Sequence, residues 1–238
     1  WLCHYTIFLF RPFLFTVRKA YNLTSINSIH FNRSSYRLTE NLFKDYPDLL
    51  NRVKPSEKYS VSSNIFDKYP EIFSDDVDDK KKFVRVVGRF DNSRSKKYIN
   101  KSYVSDHDNL EKWKIFVAKS NGTGKFGETF SPLEIGEPMD ISTQTFISFG
   151  KFDTANEAIN LSKYLKTRFV RLLLSVYKVT PDNARKEVWQ LIPMQSFNND
   201  SDIDWNQNIE SIDMQLFVKY EFSDSEIECV LENVQEMN

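Results

Sequence analysis

The chain has 238 residues, of which 40% are hydrophobic and 15% aromatic, so it is long enough to bury a core and spans one to two domains. This composition excludes an intrinsically disordered chain. The formal net charge of −1 and the pI near 6.4 give no overall attraction to nucleic acid, so a DNA-binding surface must depend on local charge.

The two cysteines, Cys3 and Cys229, stand near opposite ends of the chain and offer neither a disulfide framework nor a set of zinc ligands. We therefore expect a reducing, cytoplasmic environment. Residues 1–17 are rich in Phe, Leu and Ile, but Arg11 and Pro12 interrupt them, and their apolar runs are far shorter than the roughly 20 residues of a membrane-spanning helix. We expect a buried strand or a linker here, and no membrane partner.

Charge and turn signals predict the first regular elements. A run of aspartates leads directly into three lysines over residues 75–82, which predicts an exposed loop. Residues 83–90 are β-branched and aromatic and predict a strand, from which Arg85 and Arg89 project to one side by the two-residue period. Further strands are predicted over residues 97–104, 113–118 and 143–149.

The hydrophobic period then changes to that of a helix. Thr154 and Glu157 form a capping-box pattern that predicts a helix start, and Pro181 marks the end. One predicted face is apolar and consists of Ala158, Leu161, Leu165, Phe169, Leu172 and Val176. The opposite face carries the cations Lys163, Lys166, Arg171 and Lys178.

The C-terminal part predicts a short strand over residues 188–192 and then two helices. The first covers residues 209–220, and Ser223 opens the second with Glu226 in a capping box. Because strands precede helices, the sequence predicts an α+β fold with a mixed or antiparallel sheet, a long amphipathic helix and a C-terminal helical hairpin.

Residues 122–127 match the pattern G-x-G-x-x-G after a predicted strand, which raises the question of a dinucleotide or S-adenosylmethionine site. A phosphate-binding loop needs a helix directly after it, whereas Pro132 and Pro138 follow here in a turn-rich stretch. We therefore expect no cofactor in this chain, and a loop that lets the backbone approach a large partner.

Pro70, Glu71, Asp78 and Lys80 formally match the carboxylates and lysine of a metal-dependent nuclease. Their spacing is tight and their surroundings are those of a charged loop, which favours a solvated surface over a metal site. The three histidines are isolated and lack partners at metal-ligand spacing.

Cations cluster between residues 80 and 125 and alternate with aromatic side chains. Such a field can neutralise phosphates, although the same pattern more often forms a solvated face. Arginine and asparagine side chains in such a region can recognise guanine and adenine edges in the major groove.

An ordered series of short motifs runs through the chain from about residue 60 to its end. The motifs are Val61-Ser62-Ser63, Trp113-Lys114-Ile115-Phe116, Thr143-Gln144-Thr145-Phe146, Tyr164-Leu165-Lys166-Thr167-Arg168-Phe169 and Pro193-Met194-Gln195-Ser196-Phe197. In this order and spacing they resemble the C-terminal target-recognition region of adenine-specific (N6) DNA methyltransferases of type II restriction–modification systems. Residues 202–220 are similar to that family's closing helical hairpin.

The Asn/Asp-Pro-Pro-Tyr/Phe tetrad, which holds the target adenine in this family, is absent from the chain, as are a cofactor-binding strand and its glycine loop. The resemblance therefore implies a recognition fragment that positions a separate or lost catalytic domain on double-stranded DNA. S-adenosylmethionine is expected only in that missing domain. Residues 60–238 would form the recognition domain, and residues 1–59 stay unassigned, as a remnant of an upstream domain or a linker.

The resemblance and the cation pattern together give the candidate DNA contacts. Base contacts are expected from Arg85, Arg89, Arg94, Asn121 and Lys125, and phosphate contacts from Lys96, Lys97, Lys101, Lys163, Lys166 and Arg171, with Lys119 in the same basic cluster. Two alternatives stay open: a divergent metal-dependent DNA endonuclease, and a protein-interaction module whose aromatic surface docks a partner subunit.

Overall fold

The structure, a computed structural model, describes residues 23–122, 125–178 and 180–237, and of Val176 and Tyr177 only the backbone. The strand or linker predicted within residues 1–17 lies outside these ranges. Within them, no helix has both the length and the apolar character needed to cross a bilayer.

The described chain divides into two compact units, neither of which is one continuous segment. Unit 1 contains residues 23–30, 120–132 and 156–237, and unit 2 contains residues 31–119 and 133–155. The predicted boundary between residues 59 and 60 falls inside unit 2. Leu42 and Phe43 lie before it, Ile65 and Phe66 lie after it, and all four belong to one hydrophobic core. Residues 36–59 thus contribute to this core, because apolar side chains among them are buried against the elements that follow.

Unit 2 contains two sheets and two short helices. The helices are α1 (Glu40–Asp45) and α2 (Ile65–Lys68). The strands are β1 (His30–Phe31), at which the chain enters the unit, β2 (Phe83–Phe90), β3 (Ser93–Asn100), β4 (Trp113–Ala118), β5 (Glu134–Gly136), β6 (Asp140–Ser142) and β7 (Phe146–Phe152). In one sheet β2 lies between an antiparallel β3 and a parallel β6. The other has the order β1-β7-β4-β5, with β4 antiparallel to both neighbours.

The strands predicted over residues 83–90 and 113–118 are confirmed as β2 and β4, and the other two are displaced. β3 ends at Asn100, whose side chain accepts a hydrogen bond from Ser102 N at 2.9 Å and turns the chain into a 3₁₀ turn. β7 begins at Phe146, whose N–H bonds to Thr143 O at 3.1 Å in a preceding turn. Local bonds of this kind compete with the ladder of a sheet.

Unit 1 contains four helices in the described chain: α3 (Ala155–Lys166), α4 (Arg168–Tyr177), α5 (Ile209–Lys219) and α6 (Asp224–Asn233). Residues 169–174 of α4 are all buried, and both α5 and α6 pack against this helix. Ser223 and Glu226 form the predicted capping box at the start of α6. The α+β fold class is confirmed.

The single long helix predicted after residue 154 is wrong, because it breaks at Thr167. The Thr167 hydroxyl donates to Tyr164 O at 2.7 Å and accepts from Val170 N at 3.2 Å, so it closes α3 and caps α4. The break resets the helical phase. The apolar face is buried as predicted at Ala158, Leu161, Leu165, Phe169 and Leu172. Arg171 and Lys178, assigned to the exposed face by counting through the break, are buried.

The strand predicted over residues 188–192 is also wrong, since Lys186–Trp189 form a 3₁₀ turn. Trp189 explains the buried, apolar character of this stretch. Its Nε1 donates to Asn183 O at 2.8 Å, and its ring stacks on Phe130 with centroids 6.0 Å apart. The segment is buried because one large side chain packs inside the unit, and not because the segment pairs as a strand of a sheet.

Candidate nucleic-acid interface

The candidate site is the β2–β3 hairpin of unit 2. Asp91 and Asn92 join its strands, and their φ angles of 46° and 58° lie in the left-handed region. Two consecutive left-handed residues are typical of a type I′ turn, which suits the twist of paired strands and which Asp and Asn tolerate. In the described sheet β6 pairs with residues 85–87 of β2. The hairpin tip, residues 89–94, extends past that pairing.

One face of the hairpin collects cations. The register places Arg89 directly opposite Arg94, and Lys96 and Arg85 follow on the same face by the two-residue period. Like charges that face each other across an antiparallel pair destabilise it. This face is therefore suited to a ligand that supplies negative charge or hydrogen-bond acceptors.

Arg85 is bound within the protein. Its Nε and Nη2 atoms donate to the two carboxylate oxygens of Asp140 on β6, at 2.8 and 2.7 Å. The Asp140 side chain is 3% exposed, and Glu137 approaches the same guanidinium at 3.2 Å. The expected base contact from Arg85 is therefore corrected: this arginine ties β2 to β6.

Glu134 on β5 pairs with two more cations of this face and leaves one net positive charge on the group. Arg94 Nη1 lies 3.0 Å from one of its carboxylate oxygens and Lys96 Nζ lies 2.5 Å from the other. Arg89 differs, because its Nη2 donates to the backbone carbonyl of Asn92 in the turn. Arg89 is exposed and forms no ion pair with any residue that the structure describes.

The opposite face of the hairpin is partly apolar. Phe90 is exposed at the tip, and Lys97 Nζ lies 5.0 Å from its ring centroid while pairing with Asp75 at 2.7 Å. Closer to the base, Gly88 leaves room for neighbouring side chains: an added Cβ would lie 2.6 Å from a Phe66 ring carbon and 2.7 Å from the Thr143 methyl. The hairpin base is therefore closely packed, and its tip is presented from that support.

A predicted phosphate contact, Lys101, and a further cation of the predicted basic cluster, Lys119, lie in unit 2 but off the hairpin. Lys101 pairs with Glu111 at 3.2 Å. Lys119 follows β4, is half-buried, and its backbone N–H bonds to Thr145 O at 2.9 Å. Both side chains keep some exposure, and the structure does not bring them into the cationic face.

The glycine loop, residues 120–132, is anchored within unit 1. Asn121 is buried, its Nδ2 donates to Thr129 O at 2.6 Å, and its Oδ1 accepts from the Ser131 hydroxyl at 2.8 Å. The expected base contact from Asn121 is therefore corrected, because both ends of its amide bind the loop itself. Lys125 is exposed, whereas Thr123 and Gly124 of the motif lie outside the described residues.

Gly127 explains why glycine is needed in this loop. Its φ is +64°, and an added Cβ would lie 2.9 Å from Val234 Cα. Its N–H donates to the Ser175 hydroxyl at 2.9 Å, and its carbonyl accepts from Arg171 Nη1 at 2.8 Å. At this position the glycine permits close internal packing.

The cations predicted on the long helix have three different environments. Arg171 is 1% exposed, and besides Gly127 its guanidinium donates to the carbonyls of Lys166 and Gln235, so its expected phosphate contact is corrected. Burial lowers the pKa of Arg171 to about 10. Lys163 Nζ donates to Trp205 O at 2.6 Å, beside a polar cavity of about 500 Å³. Lys166 is half-buried.

Two of the motifs that carry the family resemblance lie in unit 1 and bind each other. Tyr164 OH donates to Pro193 O at 2.7 Å and thus joins these two motifs. Gln195 is buried, its Nε2 donates to Tyr220 OH at 2.8 Å, and its Oε1 accepts from Lys219 Nζ at 2.8 Å. Tyr164 and Gln195 thus join helices of unit 1 to the segment that connects them.

Lys114 and Asp213 are also buried and have shifted pKa values. Burial lowers the pKa of Lys114 in unit 2 to about 7, and its Nζ donates to the carbonyls of Leu110 and Asp140 at 3.1 and 2.8 Å. Burial raises the pKa of Asp213 in unit 1 to about 6, although its carboxylate accepts from two backbone N–H groups. Both groups lie inside a unit and serve its internal hydrogen bonding.

The sequence pattern missed the hairpin turn and the partners of its arginines. The available signal for the turn was the pair Asp91-Asn92, which lies between two strand-like stretches. No local signal links Glu134 to Arg94, since they are distant in the chain. Among the described residues, no three His, Cys, Asp or Glu side chains are grouped so that they could hold a metal ion. Comparison with protein-family models, curated proteins and solved structures yields no match.

Proposed function

We propose that this chain is the sequence-recognition part of an adenine-N6 DNA methyltransferase of the restriction–modification type and binds double-stranded DNA through the β2–β3 hairpin. A separate catalytic domain or subunit would bind S-adenosylmethionine and transfer the methyl group. The observation that carries this proposal is the exposed hairpin tip with Arg89 and Arg94 facing each other on one side.

The dimensions of the hairpin support the proposal. The major groove of B-DNA is about 12 Å wide and admits a two-stranded β-ribbon. Arg85 and Gly88 fix the base of the hairpin to its neighbours, so the ribbon can enter a groove without becoming ordered on binding.

Salt dependence of binding tests the proposal. With about five phosphate contacts, the slope of log K against log salt for a mixed-sequence duplex should be near −4 to −5. The variant Lys96→Gln should bind more weakly and reduce the slope by about 1, because one cation expected to contact a phosphate is lost. Lys44→Gln removes the same charge elsewhere in unit 2 and should leave the slope unchanged. A flat salt response of the parent chain would reject the proposal and favour the protein-interaction alternative.

A further inference from the structure

We propose that Arg89 recognises a guanine in the major groove, and thereby determines one base pair of the recognised sequence. This inference rests on the proposed function and names the base-contacting residue of that site. Three observations select Arg89: its position at the tip, its lack of an acidic partner in the described chain, and the opposed Arg94.

Ion pairing separates Arg89 from the other cations of the same face. Arg85 is saturated by a buried carboxylate, and Glu134 holds both Arg94 and Lys96. Arg89 gives one hydrogen bond, to the carbonyl of Asn92, which orients the guanidinium without neutralising it. The Arg89 guanidinium thus keeps a full positive charge, and most of its five N–H donors are uncommitted. It lies at the part of the ribbon that would enter a groove most deeply.

The chemistry of a guanidinium determines the base. Guanine presents two acceptors in the major groove, O6 and N7, that match the fork of an arginine, whereas adenine presents one acceptor and an N–H₂ donor. Arg94 faces Arg89 directly and increases the positive potential at the tip, which opposes an approaching N–H₂ group. Phosphates line the rims of the groove, so a side chain at the tip of an inserted ribbon meets base edges.

A pair of modified duplexes tests the inference with the full chain. The preferred duplex is first selected from a randomised library. Replacing the critical guanine by 7-deazaguanine removes N7 and should weaken binding by roughly 5- to 150-fold, the range of one bidentate contact. Replacing it by inosine keeps O6 and N7 and should leave affinity within about twofold, because only the minor-groove amino group is lost.

Two conservative variants assign that guanine to one residue. Arg89→Lys keeps the charge but loses the planar fork, so its sensitivity to 7-deazaguanine should be several-fold smaller, while its affinity for unrelated DNA is unchanged. Arg185→Lys changes an exposed arginine of unit 1 in the same way and should keep the sensitivity of the parent chain.

The outcomes distinguish this inference from the proposed function. If the parent chain binds DNA but no guanine position responds to 7-deazaguanine, or if Arg89→Lys keeps the full response, the role of Arg89 is overturned and DNA binding stands. If the chain binds no duplex at all, the proposed function fails. A several-fold smaller response in Arg89→Lys, with the full response kept in Arg185→Lys, supports the inference.

Discussion

Arg85 and Arg89 are four residues apart on one strand face, yet they have different partners and therefore different roles. Arg85 lies beside a carboxylate that is 3% exposed, and a charge so placed must be paired to be tolerated. Arg89 lies beyond the strand that supplies that carboxylate. One arginine thus fixes the hairpin at its base, and a second arginine is available to a ligand at its tip.

Replacing Arg85 tests its structural role. Arg85→Ala leaves the Asp140 carboxylate buried without its bidentate partner and should lower the free energy of unfolding by about 3 kcal/mol. Lys101→Ala, which removes one member of an exposed pair with Glu111, should cost less than about 1 kcal/mol. Urea denaturation of both variants gives the comparison. Equal losses would contradict the assignment of Arg85 to the fold.

Lys114 should make stability depend on pH. Its pKa is lowered to about 7 in the folded chain and is near 10.4 when unfolded, so between these values the unfolded chain binds more protons. As pH falls from about 10 to 7, Lys114 therefore lowers the free energy of unfolding, and this loss is recovered as pH rises again. Lys114→Met should remove up to about 1.4 kcal/mol per pH unit from the slope of unfolding free energy in this window. Identical slopes for parent and variant between pH 7 and 9.5 would refute this.

At the scale of elements, the start of α4 depends on a side chain that lies far away in the sequence. Asp213 on α5 accepts hydrogen bonds from the N–H groups of Arg168 and Phe169, both at 2.9 Å. The first N–H groups of a helix have no partner within it, and a carboxylate there also interacts favourably with the helix dipole. α5 therefore fixes the point at which α4 begins.

Removing this cap should destabilise the chain. Asp213→Ala leaves two N–H groups without their acceptor in a buried place, and we expect a loss of about 2 kcal/mol or more in the free energy of unfolding. Asp213→Asn keeps one acceptor oxygen and should lose less. Asp224→Ala, at an exposed position in the first turn of α6, is the control and should be nearly neutral. A neutral Asp213→Ala would show that α4 needs no cap from α5.

Local chemistry explains which elements were predictable. β2, β4 and the capping box of Ser223 depend on patterns a few residues long, and the structure contains them at or near their predicted positions. The break at Thr167 also depends on Asp213, which is distant in the sequence. The 3₁₀ turn that ends in Trp189 depends on a distant stacking partner, Phe130. For the same reason, the sequence predicted that cations form the site but did not predict which of them pair with acidic side chains.

In the whole molecule, cationic and anionic side chains are nearly equal in number, with 32 Lys and Arg against 33 Asp and Glu. Of the cations first expected to contact DNA, several face acidic side chains and one is buried among carbonyls, which agrees with a formal net charge of −1. Attraction to DNA must then come from a small set of cations at the hairpin. The glycine loop and the helices of unit 1 use their polar groups to bind one another.

Photocrosslinking decides whether the hairpin tip contacts DNA. Benzoylphenylalanine at position 90 replaces one exposed aromatic side chain by another, and the same residue at position 231, on α6, is a control of equal exposure, since Phe90 and Leu231 are 41% and 43% exposed. Irradiation with the selected duplex should crosslink the chain from position 90 and not from position 231. No crosslink from position 90, or equal yields from both positions, would show that the hairpin tip does not form the DNA contact.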